Sequence, residues 1–489
     1  GMHLNRALGL VGLLCTALSA MIGVGINVLP FMIQRLEPGI GDWIPVAFVV
    51  AAVPALLAAF CYAALSSAMP RAGGSYVYAT RGLDPFVGFL ASFAQWFGLS
   101  MGMGVVAYLM VPMVRDVVAT AGWPEVAPVF NRGVVRVPMA LAAIWLFWRV
   151  NFVGIKSYQR TVVALTTAMI VGPLIMTVVG FMAGPGDFEA ALAAKGIAMP
   201  PAAPIPSFGV GAFLGTCVIL FSSFIGFDAI AQAGGEAKSE GDLPRSIVIA
   251  IVFVMIYYIL FTTAVYHAVP WQYMYLRSLV EDFSAPTLMA PFMPAWLGVV
   301  ILLAVTAAIL NAILGVMLGN SRMLYAFAVD RVFPAAFARI HPRFRTPHHA
   351  ITLTAFFGSI SVLGCHLAGD FFLGVDMLVL SMLLNFILMA VAVITLSRVN
   401  PQLYRAVGFL RSRSVQVTIA CVAIALLGAL LVIKVVGDLQ SATPWYLKST
   451  FMWAVVMIAS GLVFRWYWVR LVRQGIDPRL EIFSRLPEE

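Results

Sequence analysis

Twelve apolar runs, each near bilayer-crossing length, leave this chain little choice of fold. A spanning helix needs about 20 consecutive apolar residues. Runs of that order recur near 8–34, 43–69, 85–115, 134–150, 158–182, 208–232, 244–268, 293–328, 349–368, 375–397, 415–436 and 449–470. Hydrocarbon offers the backbone no hydrogen-bonding partner, so spanning segments close their own bonds as helices. The expectation is an all-α polytopic membrane protein with 12 transmembrane helices. The third and eighth runs are long enough to imply tilt or extension into a loop. Only 10% of the residues are charged, against about 25% in soluble domains.

The loops differ in charge. One set holds Arg71, Arg81, Lys156, Arg160, Arg245, Arg331, Arg339, Arg343, Arg345 and the segment 471–489; the alternate set is basic-poor. Basic loops stay cytoplasmic, so both termini are expected inside a multi-pass protein of the cell (cytoplasmic) membrane. The net charge of +9 thereby reflects topology and not a nucleic-acid face, which would need its cations gathered on one soluble surface. The first run is too long for a cleavable signal peptide. The five cysteines are scattered singly, with neither disulfide nor metal spacing. No HExxH, Walker loop or catalytic constellation occurs, so neither an enzyme, a metal site nor a cofactor is expected.

The first run carries its own interruption, Ser19-Ala-Met-Ile-Gly-Val-Gly-Ile-Asn-Val-Leu-Pro30. Glycine lets the backbone leave helical geometry cheaply, and Pro30 withholds an N–H. Such a break is tolerable in a membrane only against protein or a wet cavity. The sixth run echoes it in Ser222-Ser-Phe-Ile-Gly-Phe-Asp228. Five runs separate the two, so the second copy would enter the membrane in the opposite sense, the mark of an inverted repeat. The expected organisation is a five-helix repeat over 1–182, an inverted one over 208–397, two further helices over 415–470 and a tail over 471–489.

A broken helix frees N–H groups that suit an anion and carbonyls that suit a cation. Val24, Gly25 and Ile26 would offer the first; Ala20, Met21, Phe224 and Ile225 the second, with Phe227 as a lid. Together they suit a zwitterion. Asp228 is the one acid deep in an apolar run, and such a carboxylate is a functional candidate or a local lock. Asn27 and Asn311 could line the pathway, although interhelical hydrogen bonding is the commoner role of such amides. In the third run, Gly98, Leu99, Gly102 and Met103 form a small-residue, apolar stripe suited to packing or to an apolar cavity wall.

Five blocks in order now resemble the amino acid–polyamine–organocation (APC) family of secondary transporters: Ile22-Gly-Val-Gly-Ile26; Pro70-Arg-Ala-Gly-Gly-Ser-Tyr-Val-Tyr78 with Gly88 and Trp96; Asn151-Phe-Val-Gly-Ile-Lys156; Phe224-Ile-Gly-Phe-Asp228 through Gly235-Glu-Ala-Lys238; and Ser321-Arg-Met-Leu-Tyr-Ala326 with the prolines that follow. The resemblance implies a LeuT-like 5+5 inverted repeat working by alternating access. It implies a substrate carboxylate on the amides of Val24, Gly25 and Ile26, and an ammonium on carbonyls near Met21, Phe224 and Ile225. The side chain would lie against Gly98, Leu99, Gly102 and Met103. That apolar lining points to a small neutral amino acid. The alternatives are a polyamine or organic-cation exchanger with Asp228 as counter-ion, or a sensor of the same fold. Two residues depart from the family. Thr166-Thr-Ala-Met169 stands where proton-coupled relatives carry a lysine, so the coupling ion, H⁺ or Na⁺, stays open. Asn27 stands where phenylalanine is usual.

Overall fold

The computed structural model describes residues 3–369 and 371–489, which form helices and no sheet apart from two isolated bridges. The chain runs α1 (Leu10–Met21), α2 (Val24–Asn27), α3 (Leu29–Leu36), α4 (Ile44–Ala68), α5 (Gly74–Gly82), α6 (Pro85–Thr120), α7 (Gly133–Val153) and α8 (Ile155–Met182). It continues with α9 (Asp187–Ala194), α10 (Val210–Phe221), α11 (Asp228–Gln232), α12 (Asp242–Ala268), α13 (Trp271–Ser278), α14 (Ala285–Met289) and α15 (Ala295–Val329). It closes with α16 (His348–Ala368), α17 (Phe372–Val399), α18 (Pro401–Tyr404), α19 (Arg413–Leu439), α20 (Ser449–Arg473) and α21 (Pro478–Glu481). Among the described residues, 11 segments are long and apolar enough to span a bilayer, Val210–Gln232 counted as one. The first run is not a twelfth continuous span, because it divides into α1, α2 and α3.

The two longest helices, α6 and α15, pack on each other and carry the centre of the molecule, with α17, α16 and α8 around them. Helix α6 starts sharply because Asp84 accepts from the amides of Phe86 and Val87, and Pro85 needs no partner at the first position. Helices α19 and α20 leave most of their apolar surface exposed, as lipid-facing helices do.

Charge sorts the molecule into two faces. Every ion pair among the described residues joins partners from the same set of loops. Arg35 and Arg136 meet Asp282, and Lys434 meets Asp376, on the basic-poor face. Arg81 meets Asp330, and Arg322 meets Glu236, on the basic-rich face. Both of the latter pairs are buried and bidentate, with contacts of 2.6 and 3.0 Å in each. Such fork-to-fork geometry is the strong form of the interaction.

Candidate functional site

Both expected interruptions are present. Helix α1 ends at Met21, and Ile22 is extended (φ −87°, ψ 96°). Helix α10 gives way to a turn over Ser222–Phe224, then Ile225 is extended and Gly226 takes φ +148°, a conformation glycine alone adopts easily. The breaks are locked together by bare glycine faces. A Cβ on Gly25 would sit 2.9 Å from Ser223 Cα, and one on Gly226 would sit 2.9 Å from the Ala20 carbonyl carbon. Ser223 Oγ donates to the Gly25 carbonyl at 2.6 Å. Tyr258 donates to the Met21 carbonyl, which ties α12 to the first break.

The empty side of Gly25 faces Ser223, so a methyl there would push the two breaks apart before it could crowd a bound solute. Among the described residues, the N–H groups of Gly23, Gly25 and Phe227 donate to no protein acceptor, while that of Gly226 reaches the Asp228 carboxylate. Three amides without partners, clustered in the interior, are unusual enough to need an explanation.

Beside the crossing lies a cavity of about 80 Å³, room for several waters at roughly 10–15 Å³ each. The first break contributes Ala20, Met21, Gly25 and Leu29; the second contributes Ser222 and Ile225. Helix α6 supplies Leu99, Gly102, Met103, Val105 and Val106. Ala312 and Val316 of α15, with Val375 and Leu378 of α17, complete the wall, and no charged side chain lines it.

Of the sequence-predicted residues, Met21, Gly25, Leu99, Gly102, Met103 and Ile225 meet at this cavity. Gly98 does not: a Cβ there would strike Ser381 at 2.6 Å, so it serves close packing of α6 on α17. Phe224 packs on Phe48 and Tyr258, and Phe227 stacks on Phe386 and meets Tyr62 edge-on, so neither ring lines the cavity. Ile26 is fully buried in the core, and the backbone of Val24 opens α2. Asn27 donates to the Gly23 carbonyl at 3.1 Å, closing the short turn on itself. Asn311 donates to Thr166 at 3.0 Å, joining α15 to α8. Asp228 accepts from Gln95 Nε2 at 2.6 Å and is buried, while its Oδ1 and the Gln95 Oε1 have no hydrogen bond of normal geometry.

Sequence reasoning missed the walls from α15 and α17. Ala312 and Val316, one turn apart beside Asn311, gave a weak signal; Val375 and Leu378 gave none, being ordinary members of an apolar helix.

These features define an all-α polytopic membrane protein whose two interrupted helices cross beside an apolar, small-molecule-sized cavity. A family model described as amino acid permease matches residues 8–460, and the chain belongs to that family, one of transport proteins and not of enzymes. The chain is 28% identical to "Cationic amino acid transporter 4, vacuolar" of Arabidopsis thaliana over 413 residues, 82% of this chain and 64% of that protein. It is 25% identical to "Branched-chain amino acid permease BcaP" of Bacillus subtilis over 426 residues, 82% of this chain and 83% of the relative. Against "Cationic amino acid transporter 4" of Mus musculus it is 27% identical over 366 residues, 70% and 53% of the two chains. The chain thus spans under two thirds of the length of the plant and mouse transporters it matches.

Proposed function

We propose that the protein is a permease that carries a small neutral amino acid across the cytoplasmic membrane by alternating access. The observation that carries this is the pairing of unpartnered amides at Gly23 and Gly25 with an adjoining cavity whose side chains are all uncharged. Amides at the start of a helical turn stabilise a carboxylate. The ammonium would take the free lone pair of the Met21 carbonyl and that of Ala20. An aliphatic side chain would displace water from Leu99, Met103, Val316 and Leu378, which hydrophobic transfer favours by about 25 cal/mol per Å² buried. A cationic side chain would find no counter-charge, because Asp228 is turned to Gln95 and does not line the cavity.

In the same reading the two breaks belong to inverted repeats, the basic-rich face is cytoplasmic, and Asp228 and Asn311 take part in gating or coupling. With Thr166-Thr-Ala-Met169 and no lysine midway along α8, the Asp228–Gln95 pair is the buried group best suited to exchange a proton. Counterflow of radiolabelled amino acids in proteoliposomes tests the proposal. Valine, isoleucine, leucine or alanine should exchange, and lysine, arginine and putrescine should not. Exchange of the cations alone refutes the substrate assignment; binding without exchange makes the protein a sensor.

A further inference from the structure

Residues 476–489 do not trail into solvent. Phe483 is buried, stacked on Trp468 of α20 with the Arg81 guanidinium over its ring at 5.0 Å. Arg81, already paired with Asp330, also donates to the carbonyls of Arg485 at 2.9 Å and Ile482 at 3.2 Å. Arg71 donates to the Pro487 carbonyl at 3.0 Å, and the Ala72 amide donates to Glu489 Oε1 at 2.8 Å. The Glu489 carboxylate fills the space over Gly235, where a Cβ would lie 2.3 Å from its Oε2.

The place where this segment ends is the seam of the basic-rich face. There the loop before α5 is bridged to the end of α11 through Ala72 and Ala233, and Gly73 donates to the Gln232 carbonyl at 2.9 Å. The lead-in to α1 is bridged to the same strip through Leu8 and Ala237, with Arg6 reaching the carbonyls of Gly234 and Pro70. In the transport reading above, a solute leaving the cavity toward this face would part α1 or α11 from the loop before α5. Residues 485–489 lie across that joint and touch both sides of it.

We propose that residues 476–489 are an autoinhibitory strap: docked, they hold the end of α11 against the loop before α5, and they must leave before the cavity opens to the basic-rich face. The proposal rests on the transport reading above. Burial pushes the docked Glu489 carboxyl from 4.5 up to about 7, with Glu236 adding to the rise while the Ala72 amide, Arg71 and Arg6, which favour its charge, oppose it. A raised value means the docked form takes up a proton that the released form gives up. Docking therefore weakens as pH on that face rises from 4.5 through 7 and levels off above it.

The test joins Ala72→Cys to Glu489→Cys, in a Cys421→Ser background that removes the exposed native thiol, with a short cleavable bismaleimide. Exchange in proteoliposomes should fall by about tenfold or more on tethering and return on cleavage. Separately, Phe483→Ala should raise labelling of Cys15, buried on α1, by a membrane-impermeant maleimide from the basic-rich side, by roughly the same factor. Full exchange by the tethered protein, failure of the pair to tether, or unchanged Cys15 labelling in folded Phe483→Ala overturns the strap. Should Phe483→Ala not fold, tethering decides alone. If no variant exchanges an amino acid while Cys15 labelling still follows the tether, the transport reading fails and the strap stands.

Discussion

Gly25→Ala probes the crossing of the two breaks directly. The added methyl would lie 2.9 Å from Ser223 Cα, 3.0 Å from its Cβ and 3.1 Å from its Oγ. Two of those atoms cannot rotate away, so the breaks must separate by several tenths of an ångström. The Ser223–Gly25 hydrogen bond at 2.6 Å stretches with them. Overpacking of this kind costs about 1–3 kcal/mol, and each 1.4 kcal/mol taken from binding is about tenfold in affinity. If half or more of the strain falls on the amides of the site, about 0.5–3 kcal/mol, substrate affinity drops by roughly 2- to 140-fold. Gly102→Ala is the matched control on the same cavity. Its methyl would meet only the tip of Leu378 at 3.3 Å, a flexible contact, so transport of alanine should survive while larger aliphatic substrates weaken. The assay is the concentration dependence of counterflow for both variants, with monodispersity in detergent to confirm folding. Ser223→Gly should not rescue Gly25→Ala, because the backbone carbon of residue 223 is the closest atom. Wild-type affinity in Gly25→Ala, or rescue by Ser223→Gly, would refute the locked crossing.

Val316→Phe fills the wall of a cavity of about 80 Å³ and should abolish ligand-induced stabilisation in a thermal-shift screen, where a bound ligand adds RT ln(1 + [L]/Kd). Arg322→Ala strands the buried Glu236 carboxylate and should destabilise the fold by about 3–5 kcal/mol, read as loss of folded protein in detergent; Arg322→Met with Glu236→Leu should recover most of it. Glu37, just past α3, is raised from 4.5 to about 7 by burial, with Asp376 adding to the rise and Lys434 opposing it. The folded state then binds a proton the unfolded state has released, so stability falls as pH rises from 4.5 through 7; Glu37→Gln should flatten that part of the melting-temperature profile. For the strap, Glu489→Gln should remove the acceleration of exchange that wild type shows as pH on the basic-rich side rises from 4.5 to about 7.

What could be read from the letters follows from what membranes penalise. Long apolar runs have one economical backbone solution, so the span positions, the unusual length of α6 and α15, and both interruptions were visible in advance. Short interfacial helices were not. Gly74–Gly82 contains two glycines and two β-branched residues, weak helix formers, and is held instead by Ser75 bonding to Tyr62 and Gln232. Direction was the larger loss. The stripe of Gly98 and Gly102 is one surface by spacing, yet Gly98 turns to Ser381 and Gly102 to the cavity. Which side of a small residue meets a neighbour depends on helix azimuth, and a helix apolar on all sides carries no moment from which to read it. The same blindness hid Val375 and Leu378. The tail shows the opposite failure, because its signal was present: Ile482, Phe483 and Leu486 are apolar residues in a charged, lipid-free segment, and apolar side chains there find cover on the protein. A basic composition describes where such a segment stays, while its few apolar residues decide what it rests on, and here that is the seam between the loop before α5 and the end of α11.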